Sequence, residues 1–561
     1  MHRQLRQSAI ALLIAALLVT ALPSSNVALA AVEREWTGAS STNWSDGANW
    51  VGGSPPVSGD ALFFPPNAAR KTNTNDIVGL TLTSIQLSGG YDVSGQAVIL
   101  GSIGSIGSNR VDFPIAGTGG PDITISPAFE RDELILGGGF VGTGLQVSKP
   151  GRGLVSLEGG GPDNGSIAIG DGILVADSAM PTAAFDIAGG VLTGAGPVRS
   201  VSASGGILAP GDFGLGTLAM TDLTLQPGSA LFVDLGQSAN GRVAVDLTAN
   251  LSSPELLLFR EAPFDAGTAF TIVSAAGVSG GSFAGLPQGA TLALGSQQFQ
   301  VDYTAGAGHD VTVTATNTPT PSERFVDAVY LDLLSRFVDG PALGVWTARL
   351  AQGFPRAFVS AIINTSTEYR EVLVSDIYGA LLRRDADPAG LEGFVSFLSR
   401  GGRDEDVIAA VLGSEEYFDL THSHSAFLTL LYSDLLGRAP DPAGFDQFLS
   451  LMFGGMPRGA VASAILHSPE YYAAFVDSLY AGLLHRAADG PGRTLFATLL
   501  QQGTTYEMVL NHFIASAEYF NRAQSSLVPS SVAATTRART RTGIPGQKSI
   551  VAARLDAALS P

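Results

Sequence analysis

Tyr330, Tyr378, Tyr432 and Tyr480 head four stretches that repeat with little change. The steps between them are 48, 54 and 48 residues, and the longer step carries an insertion near "DLTHSHS". Six residues after each tyrosine stands an arginine (Arg336, Arg384, Arg438, Arg486), and three further on an aspartate (Asp339, Asp387, Asp441, Asp489). Thirty-six residues after each tyrosine begins Ser-x-Glu-Tyr, giving Ser366, Ser414, Ser468 and Ser516 with Glu368, Glu416, Glu470 and Glu518. Letters kept at fixed offsets through four copies make an internal repeat, which restricts this part of the fold to an array of one supersecondary unit.

Segments such as "FVDAVYLDLLSR" and "AFLTLLYSDLLGR" space apolar residues by three and four, the mark of amphipathic helices. Residues 323–522 therefore read as an all-α domain of four units. Each repeated letter has a mechanical use in such a unit. An arginine in the last turn of a helix meets the negative end of its dipole. Asp-Pro, as in Asp387-Pro388 and Asp441-Pro442, starts the next helix, because the carboxylate caps free N–H groups and proline fits the first turn. Glycine shortly afterwards (Gly390, Gly444, Gly492) lets two helices approach, whereas the first copy has Ala342 and a displaced Gly344. Serine of Ser-x-Glu-Tyr caps a further helix, with its glutamate in the favourable first turn. The competing reading makes the four arginines and aspartates repeated sugar or cation sites. Capping accounts for both residue types and spacing, so the joint is preferred to the ligand site.

These units resemble the bacterial domain of unknown function 4214, whose signature is "LLGR-x-PDP-x-G" followed by "S-x-E-Y". The resemblance covers about residues 323–522. It implies a secreted or surface protein, with adhesin-like neighbours and a carbohydrate-binding role, and it carries no catalytic residues.

Residues 31–315 follow a different period. Short alternating segments such as "SALFVDLG", "ATLALG" and "QFQVDY" are broken by Gly, Pro and Asn-Gly, which marks half-buried strands in a sandwich, barrel or solenoid. "VSKPGRGLVSLEGGGPDNGSIAIGDGILVA", residues 147–176, narrows the choice. It resembles the autotransporter-associated β-strand repeat, with Lys149, Gly151, Gly153, Leu154, Ser156, Leu157 and Gly159 followed by Gly172, Ile173 and Val175 on its motif positions. The stretches from Gly205 and Gly267 onward, and the opening "WTGASSTNWSDGANWVGGSPPVSGDALFF", resemble other parts of such passengers. The resemblance implies a right-handed parallel β-helix over residues 31–315. "NTPTP" reads as an extended, solvated linker within 316–322.

The first thirty residues read as an export leader. Arg3 and Arg6 precede "AIALLIAALLVTAL", and Ala28 and Ala30 offer small residues for cleavage. The apolar run is shorter than a spanning helix requires, so we expect no transmembrane segment after cleavage. We expect an extracellular or cell-surface bacterial protein without disulfides, since there is no cysteine. Formal charge is -19, and losing two arginines with the leader takes it to -21, a surface that repels nucleic acid. Residues 523–561 contain Arg537, Arg539, Arg541, Lys548 and Arg554 among Ser, Thr and Ala, and read as a disordered tail.

Chemical motifs are few. "GVSGG" at Gly277–Gly281 satisfies the Gly-x-Ser-x-Gly pattern without its strand-turn-helix setting. His422 and His424 lie in the inserted loop without the further ligands zinc needs, and His309 is the one histidine of the β half. Asp163, Asp171, Asp186 and Asp212 are scattered among turns, although a polysaccharide lyase or glycosidase on a β-helix would draw its acids from such positions. Trp36, Trp44 and Trp50, with Asn43, Asn49 and Phe63, form the densest aromatic cluster. They are candidate glycan contacts or a cap on the open end of the solenoid. No cofactor motif is present, calcium included. The sequence thus favours a non-enzymatic β-helical stalk carrying a helical interaction module. Its expected partners are extracellular glycans, envelope components or other surface proteins. The alternatives are a polysaccharide-cleaving enzyme with the helical half as targeting module, and a cation-dependent surface-layer subunit.

Overall fold

The computed structural model describes residues 32–117, 123–128 and 132–527. The leader expected at 1–30 lies outside them. Of the disordered tail expected at 523–561, residues 523–527 are ordered, with Leu527 buried and its N–H donating to the Glu261 carbonyl at 2.7 Å, and the rest lies outside the described residues. The first half is a parallel β-solenoid of about nine turns, and the second is a helical region.

Each turn of the solenoid lays one strand on each of two sheets. On the ten-stranded sheet, Leu134, Val155, Leu174, Leu192, Leu208 and Leu231 stand in register, one per rung. All six are fully buried. Val147, Ile167, Phe185, Val201 and Leu223 form the facing column on the other sheet. Period-two alternation thus becomes two apolar ladders zipped face to face, and burying each such side chain stabilises the coil by about 1.5–3 kcal/mol. The turns demand glycine at one recurring corner. Gly172, Gly190 and Gly206 hold φ of +66°, +66° and +64° just before successive strands. A Cβ on each would strike the backbone carbonyl of the preceding rung, at Arg152, Gly172 and Gly190. Lys149 is buried at the same corner, its ammonium donating to the Gly151 carbonyl at 2.7 Å and the Asp171 carbonyl at 2.5 Å. Burial pushes this lysine down to about 8, against the pull of Asp171.

The parallel coil does not continue to residue 315. Its last parallel pairing joins Arg242–Leu251 to Ala269–Ser279. After that, Thr291–Leu294, Gln297–Ala305 and Asp310–Ala315 pair antiparallel, and the last of them closes on Ala269–Ser279. Hairpins at a solenoid end occupy the strand edge that would otherwise stay open.

The helical half contains fourteen α-helices among the described residues. The first unit holds α1 (Pro321–Leu334), α2 (Gly340–Ala351) and α3 (Arg356–Ile363); the second holds α4 (Thr367–Leu382), α5 (Pro388–Ser399) and α6 (Asp404–Leu412). The third holds α7 (Glu415–Asp419), α8 (His424–Leu436), α9 (Pro442–Phe453) and α10 (Arg458–Leu466). The fourth holds α11 (Pro469–Leu484), α12 (Gly490–Gln501) and α13 (Tyr506–Ala515), and α14 (Ala517–Ala523) ends the array.

That last helix closes the array into a ring. The Tyr519 hydroxyl donates to Asp332 of α1 at 2.6 Å, Arg522 pairs with the same carboxylate, and the Tyr519 ring meets Phe325 edge-on at 6.0 Å. In the third unit Tyr417 of α7 donates to Asp434 of α8 at 2.7 Å and meets Phe427 edge-on at 5.8 Å. So α14 stands to α1 as α7 stands to α8, and the "DLTHSHS" insertion is the connection that the chain's two ends lack in the first unit. Across the same seam the Asn364 amide donates to the Glu507 carbonyl at 3.0 Å, and Ser360 bonds Asn511.

The two halves are fused rather than tethered. Asp327 of α1 enters the turn of the Thr291–Ala305 hairpin, where the Ser296 N–H donates to both of its oxygens at 3.1 Å. Arg260, the last residue of its solenoid strand, pairs with Asp327, and both side chains are 0% exposed. Phe259 packs on Phe337 at 5.6 Å, with the Arg260 guanidinium over the same ring at 5.2 Å. Thr316, Thr318 and Thr320 of the Thr-Pro stretch are exposed, but the stretch is tied down rather than free. Asn317 accepts from Gln298 N–H at 2.7 Å and donates to the Ser296 carbonyl at 2.8 Å. Thr320 then caps α1 in a reciprocal box with Glu323.

Candidate functional site

The fourfold signature makes four copies of one clasp. Every repeated aspartate is an N-cap, accepting from a backbone N–H three residues on: Asp339 from Ala342 at 2.8 Å, Asp387 from Gly390 at 2.9 Å, Asp441 from Gly444 at 2.8 Å and Asp489 from Gly492 at 2.8 Å. Every repeated serine caps in the same way, with Ser366, Ser414, Ser468 and Ser516 accepting from Tyr369, Tyr417, Tyr471 and Tyr519 at 3.0–3.1 Å. Each cap is worth about 1 kcal/mol.

The arginines are placed differently from the expectation. None lies in the last turn of its helix. Each follows a left-handed residue that ends the helix, namely Ser335, Arg383, Gly437 or His485. This reversal swings the guanidinium back over the unit's own tyrosine ring, at 5.1, 5.1, 5.3 and 4.6 Å for Arg336, Arg384, Arg438 and Arg486. It also aims the guanidinium at the next unit. Arg336 grips Glu368 with two nitrogens, and Arg384, Arg438 and Arg486 grip Glu416, Glu470 and Glu518 likewise, always 32 residues on. The capping aspartates stand 3.3–3.8 Å from the same guanidinium groups. Paired carboxylates push all four arginines upward, the hydrogen bond to glutamate being the main cause. A planar guanidinium matches a carboxylate in this two-bond geometry as lysine cannot.

The glycines complete the joint. A Cβ on Gly390, Gly444 or Gly492 would run into the hydroxyl of Tyr378, Tyr432 or Tyr480. The first copy has Ala342, and its Tyr330 hydroxyl instead accepts from Trp346 Nε1 at 2.9 Å. Sequence reasoning found every member of the clasp but missed the arginine–glutamate bond, because partners 32 residues apart on different helices leave no local trace. The signal was present as a constant offset.

The aromatic cluster is core, which corrects the reading of Trp36, Trp44 and Trp50 as sugar contacts. They are 0%, 0% and 2% exposed. Trp36 and Trp44 meet Trp50 edge-on at 5.1 and 6.2 Å, and all three pack around Phe64. Their indole N–H groups bond inward, to the Arg70 carbonyl, Asn73 and the Trp44 carbonyl. Faces consumed in mutual packing at the first rungs cannot stack on a ligand.

Other candidates stand apart from one another. Gly277–Gly281 runs along and just beyond strand Ala269–Ser279. His424 opens α8 with its ring 5.4 Å from Phe453, while His422 is the left-handed residue before it. Among the described residues no group of three or more His, Asp or Glu gathers as metal ligands would. Asp163 accepts from Thr182 at 3.0 Å, Asp171 faces Arg152 at 3.6 Å, Asp186 is exposed on strand Met180–Ile187, and Asp212 sits at a bridge with Leu215.

One acid has a distinct environment. Asp404 and Glu405 open α6 but are buried, and Asp404 Oδ1 has no hydrogen-bond partner. Burial first, then Glu507 and Glu405, hold the Asp404 carboxyl well above the usual range, with Arg403 and Arg370 opposing. A carboxyl raised in the folded state keeps its proton while the unfolded chain loses it, so stability falls as pH rises from about 4. Asp404→Asn should be as stable as the parent near pH 4 and more stable than it at pH 7.5. Thermal unfolding at both pH values checks this; a variant less stable at pH 7.5 would show the carboxylate to be charged and needed.

Among the described residues no helix is long and apolar enough to cross a membrane. Residues 417–475 and 471–523 match the family model described as Domain of unknown function (DUF4214), in two overlapping stretches that cover the third and fourth units. No curated protein matches the chain.

Proposed function

We propose that the protein is an exported structural protein of the bacterial surface, in which a β-solenoid presents a closed helical ring to glycans or other envelope components. The observation carrying this reading is the use of every repeated charged residue in a joint. A ring whose signature residues cap helices and clasp neighbouring units is built to hold a shape. The solenoid supports it: about nine turns at ~4.8 Å per rung make a spacer of roughly 40 Å, and the buried Arg260–Asp327 junction keeps ring and spacer in one orientation. An adhesin or matrix component needs such rigidity, because a preorganised binder loses less entropy on contact.

The experiment is fractionation of cells expressing the full chain, with sequencing of the mature N-terminus. Recovery from the surface or medium, beginning at Ala31, is the expected result. A cytoplasmic protein that keeps its first thirty residues would refute the proposal.

A further inference from the structure

The ring contains its own internal comparison. Tyr330 of the first unit aligns with Tyr432 of the third, and Ser516 ahead of α14 aligns with Ser414 ahead of α7. In the third unit Arg458, the first residue of α10, lies over the Phe418 ring at 4.3 Å and pairs with Glu415. In the first unit Arg356, the first residue of α3, lies over the Phe520 ring at 4.6 Å. The residue matching Glu415, however, is Ala517. The same guanidinium on the same ring has lost its counter-ion, and its Nε reaches only the Ala515 carbonyl at 3.3 Å.

Two further arginines stand nearby. Arg349 covers the Phe354 ring at 5.2 Å, and Arg324 donates to the Pro319 and Gln524 carbonyls. Their counterparts in the third unit are Leu451 and Ala426. Among the described residues none of these three arginines forms an ion pair, in a chain of formal charge -19. Beside Arg356 opens a cavity of about 550 Å³ lined by Phe325, Leu350, Phe354 and Phe520, with Ser322 and Arg356 as its polar groups. At the third-unit position matching Ser322, the His424 ring packs against Phe418 at 5.6 Å and Phe453 at 5.4 Å.

We infer that this cavity binds a hexuronate unit of an acidic glycan. The carboxylate would take on Arg356 the place that Glu415 holds on Arg458, and the C–H groups of the pyranose would pack against the apolar lining of Leu350, Phe354 and Phe520. Ser322 offers a hydroxyl to the sugar, and the cavity's open side leaves room for the polymer to continue. The carboxylates of neighbouring units would meet the field of Arg324 and Arg349. This inference deepens the reading of a glycan-contacting surface protein and rests on it.

The test is calorimetric titration of the purified full chain with trigalacturonate and with its methyl ester, which keeps the rings and removes the charge. The acid should bind, and esterification should weaken binding roughly tenfold or more. Arg356→Ala should do the same. Ala517→Glu is the sharper variant, because it restores the third unit's ion pair, removes no side chain, and should abolish binding in a folded protein. Arg458→Ala should bind as the parent does. Equal binding of acid and ester, undiminished binding by Ala517→Glu, or binding of 3-phenylpropionate without trigalacturonate would overturn the inference. A surface-located protein that ignores uronates would sink this inference alone, whereas a uronate binder retained in the cytoplasm would sink only the surface reading.

Discussion

Asp327→Ala should lower the stability of the whole chain by about 3–5 kcal/mol, the usual cost of breaking a buried ion pair from one side. Both Arg260 and Asp327 are 0% exposed, so deleting the carboxylate leaves a guanidinium in an apolar junction with no charge to answer it. Arg260 Nη1 is already without a hydrogen-bond partner, and the variant would leave Nη2 only its 3.4 Å bond to Ser296 Oγ. Burial pushes Arg260 down and Asp327 up from their ordinary values, and each opposes the other's shift; the pair is therefore held by mutual need rather than by net gain. Two consequences separate this account from simple weakening. Residues 316–320, strapped to the hairpin through Asn317, should become sensitive to limited proteolysis. Replacing both partners with apolar side chains, as in Arg260→Met with Asp327→Leu, should recover much of the loss. Denaturant unfolding with proteolysis at the junction reads both; unchanged stability in Asp327→Ala would show that the halves are not fused there.

The second large effect concerns ring closure. A chain ending at Ala515 keeps all of α1 to α13 yet should lose the cooperative unfolding of the helical half. Removing everything from Ser516 onward takes Glu518 from Arg486 and both Tyr519 and Arg522 from Asp332, together with the Leu527 bond to Glu261 of the solenoid. Asp332 would then lose both of these partners, and Phe325 would lose the ring packed on it. Tyr519 is 0% exposed, and truncating a buried aromatic side chain alone costs about 3–5 kcal/mol. Tyr519→Phe, which removes only the hydroxyl bond to Asp332, should cost about 1–2 kcal/mol. Circular dichroism melts rank the three proteins. A truncated chain that melts like the parent would mean that α14 is an appendage rather than the missing start of the first unit.

Local features were legible in the sequence because they are written locally. Asp-Pro and Ser-x-Glu-Tyr carry their capping partner three residues away, so the eight caps could be placed by number. Alternation showed half-buried strands but left sandwich, barrel and solenoid open, and it was the resemblance of residues 147–176 to the autotransporter-associated repeat that pointed to the solenoid. What escaped was contact between distant strangers. Arg260 is one arginine in a β strand and Asp327 one aspartate in a helix, and nothing in either neighbourhood announces the other. Ring closure was hidden for a related reason. Counting from tyrosine to tyrosine makes α14 a leftover, and only space returns it to α1. The tryptophans misled because an aromatic cluster reads alike as cap or platform until burial is known.

The central claim is that the fourfold signature serves joints. A double-mutant cycle on Arg438 and Glu470, each changed to alanine alone and together and followed by urea unfolding, tests it most directly. The account predicts a favourable coupling of about 1 kcal/mol, raised above the ordinary surface pair by the two-bond geometry and the Tyr432 ring beneath. Coupling indistinguishable from zero, with both single variants as stable as the parent, would contradict it.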